Sequence, residues 1–423
     1  MQVERMLKKE NIRYLLVLIC CCLMAASSVG VYTNSVGVFY TKVSADLGVG
    51  RGAFALHATL CALTAGFLCP VAARVLKKAP SRILILGGSI LSAGSTALMA
   101  LATNVWAFYI LGILRGIGMT MFSLMPVTTF INNWFHEKHG MAVGIALSFS
   151  GLAGAVFSPL FSSMIGTVGW RASFLWMGAV GFALTAPAML IMHYRPDEIS
   201  LLPFGMKKDS AGSASDTARG ISAPEKAAQK IYIPALVVLS LMTVLHTSVT
   251  GIAQHFPGIS EWMGSGAAVG AAMVSAGMIG NIVSKLIIGT LSDRIGPFKA
   301  SMCMIIINAL AILGLLLFGG KASWLMFTVA FFYGTVYAVG AVGIPLLTRK
   351  LFGTQNYSSA YSIITIFTSI GSASALTIIG LIYDLTGGYT AALVAGLMID
   401  LINLIILVVL ARMYTRRQHA VLQ

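Results

Sequence analysis

Charge is what this sequence most conspicuously lacks. Asp, Glu, Lys and Arg make up 10% of its 423 residues, and acids are scarcer still, 13 against 28 bases. Soluble proteins carry roughly 25% charged residues. With 57% hydrophobic residues, no water-soluble fold could hide so much apolar surface, so the chain is an integral membrane protein. Cysteine is also sparse. Cys20, Cys21, Cys22, Cys61, Cys69 and Cys303 lie in apolar stretches without metal-ligand spacing, which reads as small buried hydrophobes and says nothing about redox compartment. Catalytic pairs are missing too. HEKH (136–139) sets its histidines three apart, where a zinc-binding H-E-x-x-H needs four. No metal, cofactor or enzyme activity is implied.

What is present is a series of apolar windows of spanning length, near 14–38, 53–73, 83–102, 105–130, 140–165 and 171–192, then 231–256, 267–291, 299–319, 323–347, 358–382 and 389–411. They predict an all-α membrane protein of twelve transmembrane helices in two six-helix halves, 1–192 and 231–423. The polar stretch 193–230, rich in Ser, Ala, Gly, Lys and Glu, reads as a flexible linker. Positive residues orient the chain. Of the 28 bases, Lys42, Arg51, Arg171 and Lys321 fall on one side, Arg115 and Lys285 fall within the membrane, and the rest lie on the other side. Both termini and the linker are therefore expected in the cytoplasm, the chain being a multi-pass protein of the cell (inner) membrane. The net charge of +15 is topological and does not imply nucleic acid.

The two halves carry a repeated loop. AARVLKKAPSR (72–82) and GTLSDRIGPFK (289–299) share an opening small residue, the proline and the final base, with Leu76 in the first where Asp293 stands in the second. Transporters are commonly built from such repeats around a site near the midplane. GTLSDRIGPFK resembles the cytoplasmic loop motif of the major facilitator superfamily, and implies a gate role for Gly289, Asp293, Arg294 and Gly296. NNWFHEKHGMAVGIALSFSGLAGAVFSP (132–159), RPDEISLLPFG (195–205) and IYDLTGGY (382–389) resemble segments of its monocarboxylate transporter and oxalate/formate antiporter groups. In those groups helix eight usually carries an arginine four residues before the loop glycine. Here that position is Lys285, and the resemblance implies that it binds a substrate carboxylate. Asn281 replaces the usual proton-linked aspartate one turn earlier, Asn34 the usual first-helix lysine, and Ile364 a second cation of the oxalate exchanger. One anchoring cation points to a monocarboxylate such as lactate, pyruvate or formate, carried by proton symport or anion exchange.

Ionisable groups at mid-membrane cost at least ~2.5–3.5 kcal/mol on insertion scales, so each is a candidate. Lys285 lies about 12 Å of helix before Asp293, too far to snorkel easily. Arg115, about 15 Å into the fourth helix, offers a bidentate fork for a carboxylate, with helix packing as the alternative. His246, Asp400 and His57 are candidates for proton coupling, with burial in a helix interface as the plainer role for each. Tyr32, Asn34, Tyr333 and Tyr337 are candidates for the cavity wall, the last two four apart on one helix face. Gly140, Gly144 and Ser148 form a small-residue stripe for close helix approach. A facilitator or exporter of a neutral or drug-like solute, with Lys285 in a structural pair, is the alternative within transport. A non-transporting sensor would be expected to bring a signalling domain.

Overall fold

In the computed structural model, which describes residues 2–206 and 232–422, almost every described residue is helical. Six spans run through the first half: α1 (Ile12–Phe39), α2 (Ala53–Lys78), α3 (Ser81–Leu101), α4 (Val105–Trp134), α5 (His139–Thr167) and α6 (Gly169–Ile191). In the second half, α7 (Ile233–Trp262), α8 (Ala272–Ile295) and α9 (Pro297–Phe318) precede an apolar rod, Ser323–Ala375, of 53 residues. Such a rod would be ~80 Å long, far beyond a ~30 Å hydrocarbon layer. Gly353, at φ 72° and ψ 175°, breaks it into α10 (323–352) and α11 (354–386). With α12 (Thr390–Arg417) the crossings number twelve. Gly296, at φ 86°, makes the corresponding sharp joint between α8 and α9, a backbone setting that a side chain resists.

One face of the bundle gathers both chain ends. Tyr14 packs edge-on against Trp134 and donates a 2.6 Å hydrogen bond to Leu202 O. At the other end of the chain, Tyr414 meets Phe298 and the Lys350 ammonium. We call this the terminal face. The start of the expected linker proves ordered here. Phe204 N donates to Trp134 O at 2.8 Å, and the Phe204 ring packs against Tyr14 and Phe135. The aromatic burial holds residues 193–206 onto the first half. The remainder of 193–230 lies outside the described residues. Large apolar side chains are exposed along the spans, with Trp106 and Trp324 72% and 68% exposed at the starts of α4 and α10, as interfacial aromatics are. Cys303 is exposed while the other cysteines are buried, correcting the expectation for that residue.

Four helices in equivalent positions of the two halves, α1, α4, α7 and α10, are interrupted partway across. α1 passes from α-helix to a wider π-helix over Ala26–Asn34 and then a 3-10 turn over Val36–Phe39. α4 stops at Met119 and resumes at Leu124. α7 tightens to 3-10 over Thr250–His255, and α10 carries a π segment over Val339–Gly343. The cause is local. Pro126, Pro257 and Pro345 each remove the amide that would have bonded four residues back, and those carbonyls lie at or in the breaks. In α1, hydroxyls take up freed carbonyls instead: Ser28 to Met24 O at 2.8 Å, Thr33 to Ser28 O at 3.0 Å and Ser35 to Gly30 O at 3.0 Å. Irregular backbone at membrane depth is tolerated where protein or a cavity satisfies it, and paired interruptions point to the binding region.

Candidate functional site

The halves meet along two helix pairs, α5 with α8 and α2 with α11. At α5·α8 the approach is backbone to backbone. A Cβ placed on Gly289 would strike Gly140 O, and one on Gly144 would meet Lys285 O. At the terminal end, the Asp293 carboxylate of α8 accepts from Gly140 N at 2.8 Å and Met141 N at 2.9 Å. These are first-turn amides of α5, which have no partner within their own helix, so an anion there complements the helix dipole as well. Residue 138, in the left-handed conformation at φ 52°, provides no side-chain cap of its own. Two of the predicted gate residues, Gly289 and Asp293, thus join the halves, and Gly296 turns the chain into α9. Arg294 is exposed. Arg349, which the sequence did not single out, completes this corner by donating to Phe135 O at 3.3 Å.

Deeper along the same seam lies Lys285. It is 4% exposed, and its Nζ donates across the interface to Ser150 Oγ at 3.0 Å and Leu147 O at 3.3 Å, both on α5. Among the described residues it has no carboxylate within ion-pair distance. An ammonium has three protons to donate, and two are engaged. Asn281, one turn earlier and 4% exposed, has an unpartnered Oδ1. From α1, Asn34 Nδ2 donates to Ser150 O at 3.2 Å. Lys285 and Asn34 therefore converge on Ser150 of α5, while Asn281 lies near the next residue, Gly151. Ser150 was not foreseen. In ALSFSG it is one of two similar serines, and only the α5·α8 register tells which one faces the lysine.

The remaining predicted residues sit elsewhere. Arg115, 1% exposed, lies inside the first half within electrostatic reach of Tyr32, Tyr40 and His57, and its Nε and Nη1 have no partner. Tyr32 packs against Gly181 and donates to Gly178 O of α6 at 3.4 Å. His57 directs Nδ1 at Phe54 O, 2.6 Å away, among the Tyr40, Phe54 and Phe108 rings. In the second half, His246 Nε2 meets Val336 O at 2.9 Å, joining α7 to α10. Tyr333 donates to Val249 O at 2.5 Å and stacks edge-on with Phe256, while Tyr337, one turn further, is half-buried. Asp400 is fully buried and accepts from Asn308 at 2.6 Å. Among the described residues no three His, Cys, Asp or Glu groups come together as a metal site.

Two pseudo-equivalent six-helix halves, interrupted helices at equivalent places and a buried cation on the seam between them are the architecture of a membrane transporter. The sequence profile of the Major Facilitator Superfamily matches residues 16–251 and again 227–421, and the chain belongs to that superfamily. Within it, the chain is related to the monocarboxylate transporters. It is 23% identical to monocarboxylate transporter 13 of Rattus norvegicus over 86% of this chain and 81% of the relative. To monocarboxylate transporter 12 of Xenopus laevis it is 26% identical, over 73% and 69%. The fold is similar to that of the human organic anion transporter MFSD10, with TM-score 0.68 and 13% identity over 93% of this chain and 99% of that one.

Proposed function

We propose that this transporter carries a small monocarboxylate, with Lys285 as the anchor of the substrate carboxylate. The observation that carries the reading is a buried ammonium on the seam between the halves, with no carboxylate beside it among the described residues and one proton uncommitted. An unpaired cation in that position is costly, and an organic anion offsets the cost. The amides of Asn281 and Asn34 would orient the rest of a lactate-sized molecule. The names of the relatives agree with the chemistry.

In this reading 1–192 and 231–423 are the moving bodies, and the terminal face, where the bases concentrate, is the cytoplasmic side of a cell (inner) membrane. The cross-half contacts of Lys77, Asn132, Gly140, Met141, Lys285 and Arg349 run from mid-depth to that face, which supports a conformation closed towards the cytoplasm. Substrate arriving from outside would accept a hydrogen bond from the remaining N–H of Lys285, offset its charge and loosen its hold on Ser150 and Leu147. The halves could then rock about the site, at the expense of the Asp293 latch.

Uptake of labelled lactate, pyruvate, formate and oxalate into proteoliposomes, with and without an inward proton gradient, tests the proposal. Saturable monocarboxylate uptake that competes with simple carboxylates is expected, and its response to the gradient separates symport from exchange. Indifference to every carboxylate, together with flux of a neutral solute, would refute it.

A further inference from the structure

Far from the seam, between α9 and α12, lies a polar cluster that the carboxylate reading does not use. Asp400, Asn403 and Asn308 are each 0% exposed. Asp400 and Asn403 stand one turn apart on α12, on the same face. Asp400 is about 15 Å into its helix and Asn308 about 17 Å into α9, so both are near mid-depth. Asn308 Nδ2 donates to Asp400 Oδ2 at 2.6 Å. That leaves Asp400 Oδ1, Asn308 Oδ1 and both polar atoms of Asn403 without a partner. Orphaned buried polar atoms are rare and expensive, and here three of them are oxygens, one from Asp400, one from the Asn308 bonded to it and one from Asn403 a turn away on the same helix.

We propose that this cluster is a binding site for a monovalent metal cation, sodium in particular. A hard cation takes oxygen ligands from carboxylates and amide carbonyls, and the three orphaned oxygens are of those kinds. One carboxylate and two neutral amides balance a single positive charge, whereas a divalent ion would leave an uncompensated charge in a low-dielectric interior. Protonation is the weaker solution. Oδ2 already accepts from Asn308, and a single proton on Oδ1 could serve at most one of the two orphaned amide oxygens, whereas a cation can take all three. The site also has a route to the transport machinery. Asp400 is within electrostatic reach of Tyr333, and the Tyr333 hydroxyl holds Val249 O, the residue at which α7 turns from α-helix to 3-10. A cation at Asp400 would therefore offset the charge felt by the tyrosine that pins the α7 break.

The test is thermal unfolding of the purified full chain at constant ionic strength, with sodium chloride replacing choline chloride. Wild type is compared with Asp400→Asn, Asn403→Ala and Lys285→Ala. Sodium is expected to raise the wild-type midpoint by a few degrees in a saturable manner. Asp400→Asn should abolish the response, and Asn403→Ala should move half-saturation upward at least about tenfold, the ~1.4 kcal/mol scale of one lost ligand. Should Asp400→Asn not fold, the Asn403→Ala shift decides. Lys285→Ala should respond as wild type does, so failure of the carboxylate reading would leave this result intact. No sodium response in wild type, a sodium response retained by folded Asp400→Asn, or a midpoint that follows pH and not sodium would overturn the proposal.

Discussion

The two seams between the halves are built from repeated sequence, yet they do different work. Aligned on Pro80 and Pro297, the end of α2 and the end of α8 are copies, each packed against a helix of the opposite half. At α8 the copy carries Lys285 and Asp293; at α2 the same positions hold Leu68 and Leu76. The α5·α8 seam is therefore polar and held by charge, with a carboxylate capping a helix across the interface and a cation bonded to α5. The α2·α11 seam is held by packing. Leu76 is 1% exposed, Gly66 abuts the Ser369 side chain, and Lys77 reaches Ser359 Oγ at 3.3 Å. In the proposed cycle the charged seam would act as the latch and the packed seam as the surface that slides.

Substitutions that exchange the characters of the seams should break this contrast. Leu76→Asp puts the carboxylate of the latch into the packed seam, and burying it there should destabilise the protein by about 3 kcal/mol or more, read as a lowered unfolding midpoint. Gly289→Leu forces a side chain into the backbone of Gly140 and should cost about 2–3 kcal/mol. Gly66→Leu meets the Ser369 side chain, whose Oγ can rotate away though its Cβ cannot, and should cost less, about 1–2 kcal/mol. Equal losses for the two glycines would erase the distinction. Asp293→Asn keeps the shape but removes the charge at the α5 N-terminus. It should weaken the latch by about 1 kcal/mol, seen as greater reactivity of a cysteine placed at the neighbouring buried Ser292. Lys77→Ala should change stability by less than about 0.5 kcal/mol, since an exposed contact of this kind contributes little.

Much of this architecture is legible in the sequence. Spans are apolar runs, and a charge within a run needs no structure to be noticed, so the helices and Lys285 were accessible from the outset. Asn281 and Asn34 were reached through resemblance, and the structure brings both to the lysine's neighbourhood. Other features were hidden for physical reasons. The interruptions of α1, α4, α7 and α10 leave hydropathy unchanged, because glycine, proline and serine substitute for one another in an apolar window without changing its mean. Ser150 depends on helix register between distant segments. The docking of residues 193–206 depends on Tyr14, Trp134 and Phe204 meeting in space, so a polar stretch that reads as linker begins as part of the first half. Tyr32 and Tyr333 show the converse. Each was a candidate for the cavity wall, and each donates to a backbone carbonyl within its own half, as a buried phenol commonly does.

The central claim is that Lys285 holds the substrate by its charge, and equilibrium binding of labelled lactate and pyruvate to purified protein tests it most directly. Wild type, Lys285→Ala and Lys285→Arg would be compared. The account predicts saturable binding by wild type, loss of at least about 100-fold in Lys285→Ala, the scale of a buried charge-assisted contact, and partial retention in Lys285→Arg. Undiminished binding by a folded Lys285→Ala protein would contradict it and return the lysine to a structural bond with Ser150.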